Sequence, residues 1–295
     1  MITSRRYPMG AGAGLFAASA AALLFALPAT AADAQIKVLN PFGSPQGSVT
    51  QLVTSTSSNA CQSPAAGTTG VTWLGKKWKM ANGTAWNSKT PYAVCLGTTS
   101  DYVRFELRDT TNDHGANDAS FKRRAEIGTN ANYMNGTTYW MAYSVKAHVN
   151  GLNKSLGNTF DQFQDPLGSS PSISHRLVYC GGQACLLTTT RFDEDGAGGA
   201  TVNRGQVPFT LDTPHDIVVQ FQMGANGFEK TYLDGKLVSQ YSGPIGTKVG
   251  DNYGLRIGTY GAPLSGMSIV QEYKNIAPFP STASLSSRLT SSPAW

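Results

Sequence analysis

The sequence predicts an all-β protein built as a two-sheet sandwich or jelly roll. Segments of alternating apolar and polar residues recur about every dozen residues, which is the spacing of strands joined by short turns. Helical periodicity does not persist over any long segment. Charged residues make up only 14% of the chain, while glycine, threonine, serine and aromatic residues are abundant, as many strands and turns require.

Five segments carry the strongest strand patterns. In chain order they are residues 102–108, 138–149, 215–223, 231–238 and 267–273. The first three alternate strictly, so each should bury one face and expose the other. Within 231–238 the dipeptide Asp234-Gly235 predicts a tight hairpin turn.

The first 34 residues have the pattern of a secretory signal peptide. Arg5 and Arg6 form a basic start, residues 11–27 are apolar, and small residues at 29–31 and 32–34 suit cleavage. Ser4-Arg5-Arg6 also resembles a twin-arginine signal. A membrane anchor is the alternative, but the apolar run is short for a span and no other segment is apolar enough. We therefore expect a secreted protein, extracellular or periplasmic.

Residues 35–280 are predicted to be a single β domain, in which residues 44–70 form a loop-rich N-terminal wrap. About 260 residues remain after the signal peptide, which is ordinary for one β-sandwich. The serine-rich segment 281–295 is expected to be a loosely ordered tail. Nothing in the sequence requires more than a monomer.

The four cysteines fit an oxidising compartment. Cys180 and Cys185 are close enough for a hairpin to close on itself, which leaves Cys61 and Cys95 to form a second disulfide. A metal site is the alternative, but the cysteine spacing lacks companion ligands at zinc distances.

The charge balance favours an anionic partner. Removing the signal peptide leaves 21 basic and 17 acidic residues, a net charge of +4. The basic residues do not form the dense runs of a nucleic-acid-binding protein.

Two strand-like segments carry polar side chains in positions that share a face. In 122–127, Arg124 and Glu126 lie on one side, and such an ion pair can hold a guanidinium toward a ligand carboxylate. In 160–165, Gln162 and Gln164 lie on one side and Phe163 points the other way. A polar face on an antiparallel strand is often only the solvated side.

A third segment near the C-terminus has the same character. Gly254, Arg256, Gly258 and Tyr260 share a face, and the glycines leave room for a bulky ligand across the sheet. We expect the three polar faces to lie side by side on one concave sheet.

The order of these segments resembles that of the jelly-roll polysaccharide lyases. An R-x-E strand, a Q-x-polar strand and a K/R-x-G-x-Y strand follow one another in heparin lyase I-like enzymes, glucuronan lyases and, more distantly, alginate lyases. Here they read Arg124-Ala-Glu126-Ile127, Gln162-Phe-Gln164 and Leu255-Arg256-Ile-Gly-Thr-Tyr260. The resemblance extends from about Val103 to Phe279 and implies a concanavalin-like jelly roll with a concave substrate groove.

The resemblance also implies roles for these residues. Gln162 and Arg124 would neutralise the carboxylate of a uronic acid, and Arg256 would keep the positive charge that a lysine supplies in relatives. Tyr260 would protonate the leaving oxygen and could also act as the base. Glu126 and Gln164 would belong to the substrate-binding face.

The histidine expected of the Q-x-His pattern is missing, because Gln164 stands in its place and cannot take a proton at neutral pH. Glucuronan lyases recruit a histidine from the loop before the R-x-E strand, which points to His114 in residues 112–117. His175 is the second candidate for the missing imidazole, and we expect it to line the groove.

These residue types suit β-elimination on a uronic-acid polymer. The C5 proton becomes acidic only when the charge of the adjacent carboxylate is offset, and amide or guanidinium donors stabilise the enolate-like transition state. A base role for Tyr260 requires cations such as Arg256 or Arg124 to stabilise the phenolate. The chemistry needs no cofactor or catalytic metal, although the acidic run 193–195 leaves a structural calcium possible.

Three functional classes remain open from the sequence. A polysaccharide lyase acting on glucuronan, alginate or another polyuronate comes first. A non-catalytic lectin of the same sandwich type comes second. A glycoside hydrolase comes third, because hydrolysis needs two carboxylates that flank the bond and the strands carry no such pair.

Overall fold

The computed structural model describes residues 61–63, 70–80, 93–98, 100–108, 123–164, 170–193, 199–247, 253–261, 266–277 and 281–295. The predicted signal peptide, residues 1–34, lies outside these residues and stays a prediction. Within the described part, no helix is long and apolar enough to cross a membrane.

Eight strands form one sheet, here called the back sheet. In spatial order they are β1 (Cys61–Gln62), β4 (Val94–Gly97), β5 (Val103–Leu107), β17 (Ser268–Lys274), β7 (Thr138–Asn150), β12 (His215–Gln222), β13 (Phe228–Leu233) and β14 (Lys236–Ser242). All neighbouring pairs are antiparallel.

The second sheet, here called the front sheet, carries the three polar segments. In spatial order its strands are β11 (Thr201–Pro208), β10 (Gln183–Asp193), β9 (Ile173–Cys180), β8 (Gly157–Gln164), β16 (Tyr253–Gly261), β6 (Arg123–Tyr133), β3 (Lys76–Met80) and β2 (Gly70–Trp73). A short strand, β15 (Gly246–Thr247), pairs with β10 in parallel. The two sheets confirm the predicted all-β class and the jelly-roll sandwich.

The core lies between the sheets and is filled by the residues that alternation predicted to face inward. Val103, Phe105 and Leu107 of β5 are fully buried, as are Met141 and Tyr143 of β7. Aromatic rings from both sheets meet at the centre, where Phe163 and Phe221 lie 4.4 Å apart between centroids. Burial of this apolar surface is the main driving force for the sandwich.

The predicted hairpin is present between β13 and β14. Asp234 and Gly235 both have positive φ, 51° and 76°, which is the backbone of a two-residue turn that matches the twist of the strands. Both predicted disulfides are also formed, with Cα–Cα distances of 5.4 Å for Cys61–Cys95 and 6.0 Å for Cys180–Cys185.

Strand β8 contains a bulge that changes which side chains face the core. Its pairing with β9 shifts between Thr159 and Asp161, so that Phe160 and Asp161 both point inward. Thr159 and Gln162 consequently face outward on either side of the bulge. Since Gln271 of the back sheet donates to the Thr159 carbonyl oxygen at 2.9 Å, the opposite sheet holds the bulge in place.

Asp161 is the centre of a buried polar network that joins the sheets. His175 Nδ1 lies 2.8 Å from Asp161 Oδ1, and the hydroxyl of Tyr143 on the back sheet donates to Asp161 Oδ2. The other ring nitrogen of His175 lies 2.7 Å from Thr231 Oγ1. Burial lowers the pKa of His175, but the Asp161 and Glu229 carboxylates outweigh burial and raise it overall. His175 is therefore a structural residue of the core.

Residues 281–295 pack on the outer side of the back sheet, which differs from the loosely ordered tail expected from their serine content. The Trp140 backbone N–H donates to the Ser281 carbonyl at 2.8 Å, and Arg288 forms an ion pair with the buried Asp216. The physical reason is that this side of the back sheet is locally apolar and needs cover. The covered residues are Trp140, Ala142, Val218 and Ala277.

Glu272 on the same outer side has three partners. Tyr102 Oη donates to it at 2.6 Å, Lys146 Nζ lies at 2.9 Å and His148 Nε2 at 3.3 Å. Burial alone would raise the pKa of the Glu272 carboxyl. The hydrogen bonds from His148 and Tyr102 and the charge of Lys146 outweigh burial and lower this pKa to about 2.

We predict that Glu272 stabilises the fold in a pH-dependent manner. Because its pKa is lower in the folded state than its ordinary value of 4.5, its contribution is complete above pH 4.5 and is lost as the pH falls toward 2. The Glu272→Gln variant should lose roughly 3 kcal/mol of unfolding free energy at neutral pH. Urea titrations of both proteins across this range measure the difference, and a difference that stays constant down to pH 2 would contradict the prediction.

Candidate active site

The three polar segments of the sequence meet on the outer side of the front sheet. Strand β16 lies between β6 and β8, and Arg256 pairs with Gln162 of β8. Tyr260 pairs with Arg124 of β6. Because directly paired residues of antiparallel strands project from the same side, these side chains share one surface. We call this surface the polar face.

Glu126 is the most connected residue of the polar face. It is fully buried and accepts hydrogen bonds from Arg124 Nη1 at 2.9 Å, Gln162 Nε2 at 2.7 Å and Thr159 Oγ1 at 3.2 Å. Burial raises the pKa of Glu126, and the charges of Arg124 and Arg256 only partly offset this rise. The carboxyl group is thus an internal acceptor that fixes the orientation of the donors around it.

Arg124 lies over the ring of Tyr260. The guanidinium carbon is 3.9 Å from the ring centroid, a cation–π contact. Arg124 is almost fully buried, whereas Tyr260 is partly exposed. The contact therefore places a positive charge directly beside the Tyr260 phenol. A ligand can reach this phenol from solvent.

Gln162 keeps donor capacity beyond its bond to Glu126. A side-chain amide has two N–H groups and a carbonyl oxygen, and a single N–H is engaged by Glu126. Gln164 follows on the same side, opposite Gly254, and is partly exposed. The predicted alternation of 160–165 is therefore right for both glutamines.

Arg256 is partly buried in the middle of the polar face. Burial lowers the pKa of its guanidinium, Glu126 and Tyr260 act in the opposite direction, and Arg124 adds to the lowering. The paired residue on β6 is Gly128, where an added Cβ would come within 3.2 Å of Arg256 Cγ. Because Gly128 has no side chain, it leaves space for the aliphatic part of the Arg256 side chain.

Arg256 belongs to a cross-strand row of paired residues. In spatial order the row contains Lys79, Gly128, Arg256, Gln162, Ser174, Thr189 and Asn203. With strands about 4.8 Å apart, the row extends for roughly 30 Å. A linear ligand that crosses the strands along this row would meet the charged side chains of Lys79 and Arg256.

The prediction that His175 lines a groove is wrong. The side chain has no exposed surface, and both ring nitrogens are engaged within the core network. The reason is that His175 alternates with Ser174 and Arg176, which face outward, so His175 faces the back sheet. His114 and the loop 112–117 lie outside the described residues, so that nomination stays a prediction.

Arg176 is a further residue of the polar face, in addition to those predicted from the sequence. It pairs with Thr159 of β8, and its Nη2 donates to the Gly157 carbonyl oxygen at 2.7 Å. Burial lowers its pKa and the neighbouring Tyr260 raises it, so the phenol and this guanidinium are close enough to interact. The alternation of β9 is the signal that predicts this position, because an inward His175 requires that Arg176 face outward.

The described residues contain no group of three histidine, cysteine, aspartate or glutamate side chains that could hold a metal ion. Of the acidic run considered for calcium, Asp193 is buried beside Arg191, with 3.5 Å between Oδ2 and Nη1. Glu194 and Asp195 lie outside the described residues.

A family model described as polysaccharide lyase matches residues 75–276, which include every described residue of the polar face from Lys79 to Tyr260. No curated protein matches the chain.

The chain is similar to solved structures of lyases at low sequence identity. The endo-β-1,4-glucuronan lyase of the fungus Trichoderma reesei is 15% identical, with a TM-score of 0.47 over 58% of this chain and 78% of that one. A family 7 alginate lyase, A1-II′, is 16% identical, with a TM-score of 0.46 over 69% and 95% of the chains. The alginate lyase AlyA1 of Zobellia galactanivorans is 15% identical, with a TM-score of 0.40 over 61% and 78%.

We predict that Glu126→Gln lowers the free energy of unfolding by about 3 kcal/mol, because the neutral amide replaces the carboxyl group that pairs with the buried Arg124. Glu106→Gln is the matched control, since Arg104-Phe-Glu106 is the same motif on the back sheet. The side chains of Arg104 and Arg108, which both pair with Glu106, keep 20% and 31% of their surface exposed. We therefore expect a loss of about 1 kcal/mol or less. Urea denaturation measures both, and equal losses would contradict a special role for Glu126.

Proposed function

The chain belongs to the polysaccharide lyase family, and we propose that it cleaves a uronic-acid polymer by β-elimination on the polar face. The observation that carries this proposal is the convergence of an amide, two guanidinium groups and a phenol on adjacent strands. Arg124 lies against the Tyr260 ring, Gln162 pairs with Arg256, and all three of these donors interact with the carboxyl group of Glu126. Glucuronan is the first candidate substrate, followed by alginate or another polyuronate.

The reaction requires a carboxylate beside the carbon that loses its proton. A base takes the C5 proton, the C5–H electron pair forms the C4–C5 double bond, and the C4–O4 bond breaks with protonation of the leaving oxygen. Negative charge accumulates on the carboxylate as the proton leaves. Donors already oriented toward that carboxylate stabilise the transition state more than the ground state.

Gln162 and Arg124 are the proposed carboxylate ligands. Each donates one bond to Glu126, which fixes its orientation, and each has further N–H groups. Arg256 adds a positive charge from the next strand. Positioned donors of this kind cost little reorganisation when the charge develops, since their geometry is set before the substrate binds.

Tyr260 is the proposed acid and also the first candidate for the base. The Arg124 guanidinium lies on its ring face, and Arg176 and Arg256 are further cations that interact with it. His114 remains the proposed alternative base. Gln164 cannot take the proton, and His175 is sealed in the core.

Several further properties are proposed together with the reaction. The carboxylate is neutralised by side chains, so the proposed reaction needs no cofactor. The two disulfides are typical of proteins that leave the reducing cytoplasm, which supports secretion after removal of the signal peptide. We propose that the enzyme acts as a monomer.

Hydrolysis is disfavoured by the state of Glu126. A hydrolase needs one carboxyl group at the leaving oxygen and another at the opposite face of the sugar. Glu126 has no exposed surface and accepts three hydrogen bonds from the protein, so it is poorly placed to donate a proton to a substrate. A lectin function would use the same surface for binding alone.

We predict that incubation with glucuronan or alginate produces the ultraviolet absorbance of the C4–C5 double bond. Tyr260→Phe should reduce the rate by at least about a hundredfold, the usual contribution of a general acid or base, while the polymer still binds. Tyr232→Phe, on the back sheet, is the matched control and should keep the wild-type rate.

New reducing ends without absorbance would contradict elimination and indicate hydrolysis. Binding without either signal on a panel of polyuronates would indicate the lectin. An unchanged rate in Tyr260→Phe would remove Tyr260 from the mechanism.

A further inference from the structure

Arg176 occupies the polar face on the side of Tyr260 opposite to Arg124. Strand β16, which carries Tyr260, is followed by β6 in one direction and by β8 and then β9 in the other. Arg124 is on β6 and Arg176 is on β9. Two guanidinium groups thus approach the phenol from opposite sides of its strand.

The Arg176 side chain crosses β8 toward Tyr260. Its Nη2 donates to the Gly157 carbonyl, and a Cβ added at Gly157 would lie 3.7 Å from this nitrogen. A large side chain at position 157 would obstruct this path. Its Nε, buried from solvent, has no hydrogen-bond partner. The guanidinium therefore keeps unused donor capacity beside the phenol.

Arg176 also has no neutralising partner within the part of the chain that the structure describes. Arg124 forms an ion pair with Glu126, and Arg256 interacts with the same carboxyl group. Among the described residues, no carboxylate forms an ion pair with Arg176. Partial burial of a cation without an anion is unfavourable, so a surface that keeps such a cation is suited to an anionic ligand.

We propose that Arg176 binds a second carboxylate of the polymer, on the sugar adjacent to the one whose carboxylate is held by Gln162 and Arg124. The inference rests on the proposed lyase function and specifies its substrate class. Two carboxylate sites, one at Gln162 and Arg124 and the other at Arg176, match a polymer in which uronic acids are consecutive. A polymer in which uronic acids alternate with uncharged sugars fills only one of the sites.

The test compares wild type, Arg176→Gln and Arg176→Lys on a homopolyuronate and on hyaluronan, in which uronic acids alternate with amino sugars. For the homopolyuronate, Arg176→Gln should raise KM roughly tenfold, the usual effect of losing a hydrogen bond to a charged group, with a smaller change in kcat. Arg176→Lys should recover part of the loss, and the KM of Arg176→Gln should depend less on salt. The wild type should cleave hyaluronan slowly, and Arg176→Gln should cleave it no more slowly than the wild type.

Arg104→Gln, which changes an arginine of the back sheet, is the matched control and should leave KM unchanged. An unchanged KM in Arg176→Gln, or a wild type that cleaves hyaluronan as well as the homopolyuronate, would overturn the inference.

If the wild type cleaves no polyuronate, the proposed function fails independently. Calorimetric binding of a glucuronan oligosaccharide then decides the role of Arg176. Weaker binding by Arg176→Gln than by wild type supports the carboxylate site, while equal affinity or no binding by either protein overturns it.

Discussion

Glu126 accepts hydrogen bonds from its own strand and from β8 while lying fully buried next to Arg256, and the geometry of the polar face depends on this arrangement. A buried carboxyl group is stable only when surrounding donors compensate for its lost hydration. The donors that serve this purpose include Arg124 and Gln162. The same interactions therefore stabilise the sandwich locally and preorient the groups that we propose for binding the substrate carboxylate.

The second constraint is the bulge in β8, which connects the polar face to the core. A regular strand cannot place both Thr159 and Gln162 outside, since they are three residues apart and successive side chains alternate. The extra residue allows Asp161 to enter the core network with His175 while Gln162 reaches Glu126. Gln271 stabilises this backbone from the back sheet. Substitutions in the core near Gln271 should consequently affect the polar face without touching it.

The sequence was sufficient to predict the sandwich and the meeting of the three polar segments, because alternation assigns faces and antiparallel pairing aligns them. It was insufficient for His175, whose inward direction follows from the register of β9 and from the buried partner Asp161. The bulge that brings Asp161 inward cannot be read from a regular alternation. The docking of the C-terminal segment was also not predictable, because Leu285 and Leu289 pack against the apolar cluster around Trp140 and Arg288 pairs with Asp216, contacts that composition does not reveal.

A crystal structure of Tyr260→Phe with a bound homopolyuronate oligosaccharide tests the proposed mechanism most directly. We expect the oligosaccharide to cross the strands of the front sheet. One carboxylate should lie within hydrogen-bond distance of Gln162 and Arg124, and the scissile oxygen should lie next to the ring at position 260. An oligosaccharide bound on the back sheet, or with its carboxylates turned away from Gln162 and Arg124, would contradict the proposed mechanism.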